Sequence, residues 1–195
     1  MENLTLKDND LDLKGYVEIF TIDNNSNKKL VSKSNLIVYR GREWVLSRLL
    51  NYDNTNILPL SSNYISWLSV GTGGAPSSSP LSPIPPTNTD ITLNNEIPII
   101  ANAPNLADNG NKIGFSDISF LQDNLNMNKY LISRLDILLD QTMCNGYNIN
   151  EAGLWVSNSN DPTIANQFYL FSHITFPTIA KGTDISIQFI WYIYS

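Results

Sequence analysis

At 195 residues the chain can bury one sizeable core, and 42% hydrophobic with 10% aromatic residues excludes wholesale disorder. A formal net charge of −6 and a pI near 4.6 argue against a nucleic-acid partner, which needs a Lys/Arg stripe to displace counterions. Only 15% of residues are charged, and Asn, Ser and Thr fill the polar role, which suits a surface covered by partners.

Residues 1–13 read as a flexible polar N-terminal tail with Leu4, Leu6, Leu11 and Leu13 as apolar anchors. The opening MENLTLKDND has neither a basic nor an apolar signal region, and no run is long enough to span a bilayer. A protein made soluble in the cytoplasm, with no membrane partner, is expected. Residues 14–195 are read as one domain.

Lys14 to Asp23 (KGYVEIFTID) is dense in β-branched and aromatic residues and predicts a strand. Asn24 to Asn27 is a turn cluster, and Lys29 to Tyr39 returns as a second strand or strand pair. Lys28-Lys29 is the only adjacent basic pair and reads as a solvated hairpin tip. Arg40 to Asn51 predicts one short amphipathic helix, with Trp44, Val45, Leu46, Leu49 and Leu50 on its apolar stripe.

Ile65 to Val70 begins as an apolar strand and breaks at Gly71 into a Gly/Ser/Pro-rich tract over 71–92. Prolines at 76, 80, 83, 85 and 86 remove backbone donors and favour extended geometry, so neither helix nor sheet can form. The tract reads as an extended arm or long loop laid over the surface, with a neighbouring subunit as one candidate support. Thr92 to Pro104 reads as an edge strand or irregular segment, and 105–114 as a turn-rich loop.

The later segments alternate more cleanly. Phe115 to Leu121, Lys129 to Asp140, Ile149 to Val156, Gln167 to Phe176 and Asp184 to Ser195 all predict strands, separated by Asn, Gly and Pro clusters. The last is apolar on both faces from Ile190 onward, which places it centrally in a sheet or under another chain. The fold class expected is mainly β: an antiparallel β-sandwich or barrel with one short helix and a long Pro/Ser-rich arm.

Residues for chemistry are few. One cysteine, Cys144, cannot form an internal disulfide and reads as a small buried residue. A single histidine, His173, leaves no conventional zinc set, and Ser172 beside it points to the opposite face of a strand. His173 reads as a half-buried structural residue. The GTGG at 71–74 lacks the Lys-Ser/Thr and the helix of a phosphate loop, so it reads as a turn or hinge.

Asp117, Asp123, Asp136, Asp140 and Glu151 show no spacing that favours a glycosidase pair. Asp53, Asp108 and Asp161 lie in Asn-rich turns without EF-hand spacing. Trp67, Trp155, Tyr169, Trp191 and Tyr192 could build a sugar-binding face, though packing is the commoner use of such residues. No catalytic residue, cofactor or metal is therefore assigned. The residues expected at an interface are Pro76, Pro80, Pro83, Pro85 and Pro86 on the arm and Ile190, Tyr192 and Tyr194 on the last strand.

Several segments together resemble a family of small tailed-bacteriophage virion proteins of the tail, tail-fibre or baseplate kind. They are Ser34 to Leu50, ISWLSVGTGGAP with the later Leu93 to Ile97, NEAGLW (Asn150 to Trp155), and Phe171 to Ile193. The resemblance implies a homo-oligomeric structural component of a virion that binds other virion proteins, without catalysis or cofactor. It makes Asn35, Gly41, Arg42, Gly71, Gly73, Glu151, Gly153 and Lys181 fold determinants. The alternative is a receptor- or carbohydrate-binding module of a tail fibre, with host surface glycan as partner. Exposure of Trp67, Trp155 and Tyr192 in one groove would mark it.

Overall fold

Strand propensity and turn chemistry together build two antiparallel sheets. The computed structural model of the chain describes residues 14–34, 36–38, 41–42, 45, 64–99, 106–122, 131–163 and 165–194. Strand β1 (Lys14–Asp23) turns into β2 (Lys28–Ser34). Asp23 Oδ1 accepts the amides of Asn25 and Asn27, and Ser26 takes φ 63°. The other flank of β1 pairs with β12 (Ile185–Tyr194) in unbroken register from Lys14↔Tyr194 to Asp23↔Ile185. Next come β9 (Leu131–Leu139) and β8 (Asp117–Gln122), giving the order β2-β1-β12-β9-β8. The doubly apolar last strand is thus central, as its sequence predicts.

The second sheet runs β3 (Leu36–Ile37), β11 (Phe168–Ala180), β10 (Asn148–Ser157), β4 (Tyr64–Gly71), β7 (Lys112–Gly114), β6 (Leu106–Ala107). Strand β5 (Glu96–Ile97) also pairs with β4. Val17, Ile19, Ile137, Leu139, Ile187, Phe189 and Trp191 of the first sheet share one apolar cluster with Leu68, Val70, Leu154, Ile174 and Phe176 of the second. Each such fully buried side chain stabilises by roughly 1.5–3 kcal/mol. The other face of the second sheet is covered too: Val38, Trp67, Leu93, Ala107, Trp155, Ala165 and Leu170 form a separate cluster there.

Some expectations meet a different geometry. The loop read over 105–114 contains a small hairpin, β6 and β7 joined by a 3-10 turn at Asp108–Gly110. Asp108 (φ 52°) and Asn109 (φ 56°) take the left-handed region, which short polar side chains tolerate best after glycine. Strand signals of two or three residues are too brief for periodicity to register. Most of the predicted helix over 40–51, the tail over 1–13, Asp53 and Asp123 lie outside the described residues. Of the described residues there, Gly41 and Arg42 donate their amides to Val38 O.

Candidate functional site

Register on the second sheet decides which side chains meet. Gly153 stands opposite both Ser69 and His173, while Glu151 stands opposite both Gly71 and Thr175. On this face Glu151 and His173 are therefore diagonal neighbours. A register shift between Ile149 and Glu151 is the mark of a bulge, which re-aims local side chains. Asn150 Oδ1 takes up the Gly74 amide at 2.7 Å, next to the contacts made by Glu151.

Over this face lies the connection from β4 to β5, residues 72–95, here termed the strap. It folds back on its own sheet: Thr178 N donates to Pro80 O (2.8 Å), Thr175 Oγ1 to Ile84 O (2.7 Å), and Ile84 N to Gly74 O (2.8 Å). Both ends of the strap converge on Glu151. Its Oε1 accepts the amides of Gly73 (2.9 Å) and Asn95 (2.8 Å), and Oε2 accepts that of Asn94 (2.9 Å). Backbone amides converging on one anion make a nest, and here the chain's own carboxylate fills it.

Glycine is required for this approach. A Cβ on Gly71 would lie 2.5 Å from both Asn95 O and Glu151 Oε1, and one on Gly73 2.5 Å from Asn94 Cβ. The GTGG read as a turn or hinge is thus the place where backbone closes around Glu151.

His173 completes the constellation. Its Nε2 is 3.2 Å from Glu151 Oε2, and its Nδ1 is 2.7 Å from Asp90 Oδ2 on the strap. Glu151 and His173 are 0% exposed, whereas Asp90 is 21% exposed at the rim. Asp90 in turn accepts the Thr87 amide at 3.0 Å and the Thr87 hydroxyl. His173, expected to be half-buried, is wholly enclosed because the strap covers its face of the sheet.

The electrostatics follow from these contacts. Burial works against charge on Glu151, but bonds from His173 and the Asn94, Asn95 and Gly73 amides hold its pKa below the ordinary value. Burial likewise opposes protonation of His173, and bonds to Glu151 and Asp90 outweigh it, raising the pKa. At Asp90 burial is overcome by bonds from Thr87 and His173, and the pKa is lowered.

Nearby hydroxyls are committed as well. Ser69 Oγ receives Trp155 Nε1–H at 2.7 Å, and Thr175 bonds to Ile84. What this arrangement does chemically is fasten: Asp90, His173 and Glu151 tie the strap to β10 and β11.

A second buried ion, Lys112 (2% exposed), reaches Glu96 at 2.7 Å and Asp108 at 2.8 Å, with its ammonium 4.2 Å from the Trp155 ring centroid. It joins β5 to the β6–β7 hairpin. Among the other acidic residues, Asp140 and Asp161 accept from Thr142 and Thr163 in local turns, and Asp136 pairs with Arg134.

Of the residues expected at an interface, Pro76, Pro80 and Pro85 are exposed, and Pro83 and Pro86 half-buried. Ile190 is buried within the chain at 4% exposure. Tyr192 is half-buried and stacked on Tyr16 with centroids 4.5 Å apart. Tyr194 pairs through its backbone with Lys14 and Ile132, and its side chain lies outside the described part. Trp67, Trp155 and Trp191 are buried, so Trp67, Trp155 and Tyr192 share no exposed groove.

Sequence reasoning missed Asp90 and the pairing of His173 with Glu151. The available signal was a charged residue in NEAGLW and an imidazole in FSHITF, both inside otherwise apolar strands, where an ionisable group needs a partner. Compared with known proteins, the chain matches no family model, no curated protein and no solved structure.

Proposed function

We propose that the chain is a structural subunit of a bacteriophage virion, in the tail, baseplate or neck. In this reading it is a β-sandwich without catalytic activity that associates with copies of itself and with other virion proteins. The observation that carries the reading is the strap. A Pro/Ser-rich segment is held against its own sheet by the Glu151 nest and His173, while Leu81 (76% exposed), Ile84 (49%) and Ile91 (52%) remain open to solvent. A fixed segment carrying exposed apolar side chains binds a partner with little further loss of conformational freedom. The sequence motifs shared with small virion proteins and the low surface charge point the same way. The glycan-binding alternative is weakened, since Trp67 and Trp155 serve the core.

Light scattering on the purified protein over a range of concentrations tests this. The expected result is a defined oligomer, with Leu81→Asp weakening association by at least about tenfold while leaving the monomer folded. A monomer at every concentration, unchanged by Leu81→Asp, would overturn self-association.

A further inference from the structure

The contacts around His173 constrain its protonation on geometry alone. Glu151 receives three backbone amides across its two oxygens, and Asp90 receives an amide and a hydroxyl. Both are thereby held as acceptors, in the carboxylate form. One oxygen of each faces a different nitrogen of the same imidazole. A neutral imidazole has one N–H, so it can donate to only one of the two. Its bare nitrogen would then face a carboxylate oxygen, lone pair against lone pair.

We propose that the strap is a proton-linked clasp: the closed state holds His173 as the imidazolium, and loss of that proton releases the Asp90 end of the strap from the sheet. The other groups around the imidazole leave Asp90 and Glu151 as its ionic partners. Among the described side chains, β10 presents Glu151 and the uncharged Gly153, β4 presents Ser69, and the strap presents Asp90. The closed clasp is net negative, Asp⁻–His⁺–Glu⁻. Glu151 stays anchored by its amides when the proton leaves, whereas Asp90 at the rim can take water in place of the imidazole.

Because the folded pKa of His173 is raised, the sign is fixed. Closure is fully supported below the ordinary imidazole value of 6.5 and weakens as pH rises through the folded value. The inference concerns the single chain and stands apart from any assembly.

His173 is the only histidine, so imidazole NMR on the intact protein reads it without ambiguity. The expected spectrum has both ring nitrogens protonated at pH 6, titrating at a pKa above 6.5. Amide-exchange protection factors of Ile84 and Thr178, whose bonds hold the strap between its Glu151 anchors, should fall by up to about tenfold per pH unit between 6.5 and the folded pKa and then level off, while those of Gly73, Asn94 and Asn95 persist. Asp90→Asn should lower the imidazole pKa and narrow that window, and His173→Gln should abolish the pH dependence. If His173→Gln fails to fold, Asp90→Asn decides alone. One bare ring nitrogen at pH 6 with the Ile84 and Thr178 amides protected, or protection factors of those two amides flat across the window, would overturn the proposal.

Discussion

Glu151 shows how one side chain can organise a domain face. A carboxylate at 0% exposure is costly unless every acceptor site is used, and here three amides and an imidazole use them. Glu151→Gln keeps the size but turns an NH2 toward donors. We expect a loss of about 2–4 kcal/mol, read as a lower urea midpoint at pH 7. A loss under about 0.5 kcal/mol would mean that the anion is not what holds the strap. The carboxylates add an acid limb: their support is present above the ordinary values of 4.5 for Glu151 and 3.8 for Asp90, and is lost as pH falls through the lowered folded values. Together with the His173 limb, this cluster contributes most between 4.5 and 6.5. Cys144 offers a separate probe. Burial, partly offset by Lys181, pushes its thiol up to about 12, so thiol reagents at pH 8 should label it roughly 10³-fold more slowly than in the denatured chain. Labelling at the denatured rate would show that this corner opens freely.

At the scale of elements, the glycines of the GTGG turn matter for what they omit. In Gly71→Ala the added methyl meets backbone (Asn95 O) as well as Glu151, so neither neighbour can simply rotate away. The expected cost is about 1–3 kcal/mol, seen as a melting temperature lowered by roughly 3–10 °C. An unchanged melting temperature would show that the strap shifts without loss. The long strands were legible because apolar alternation over eight or more residues leaves little choice of period, as in β12 and β9. Strands β5 and β6 were not, because two residues carry no period. The clasp was legible only by half. Burying an ionisable residue within an apolar run flags Glu151 and His173, but nothing local identifies Asp90 as the partner, since that contact spans 83 positions. The prolines likewise announce an irregular segment without saying which sheet it lies on.

For the whole molecule, the same limit appears as topology. Composition and spacing point to antiparallel β structure, and the structure delivers two antiparallel sheets around a shared core. Which strands become neighbours is set by long-range packing that no local pattern encodes. The pairing of β1 with β12 is the extreme case, joining Val17 to Trp191 across the length of the chain. On a ribosome, where residues emerge one by one, this has a temporal meaning. At about 5–20 residues per second, β1 waits roughly 9–35 s for its partner. Throughout that interval Val17 and Ile19 have no sheet to close upon, and the nascent hairpin of β1 and β2 must stay out of unwanted company. Lys28, Lys29 and Lys33 lie on β2, the edge strand of this sheet among the described residues, where charged side chains disfavour pairing with a foreign strand during that vulnerable period.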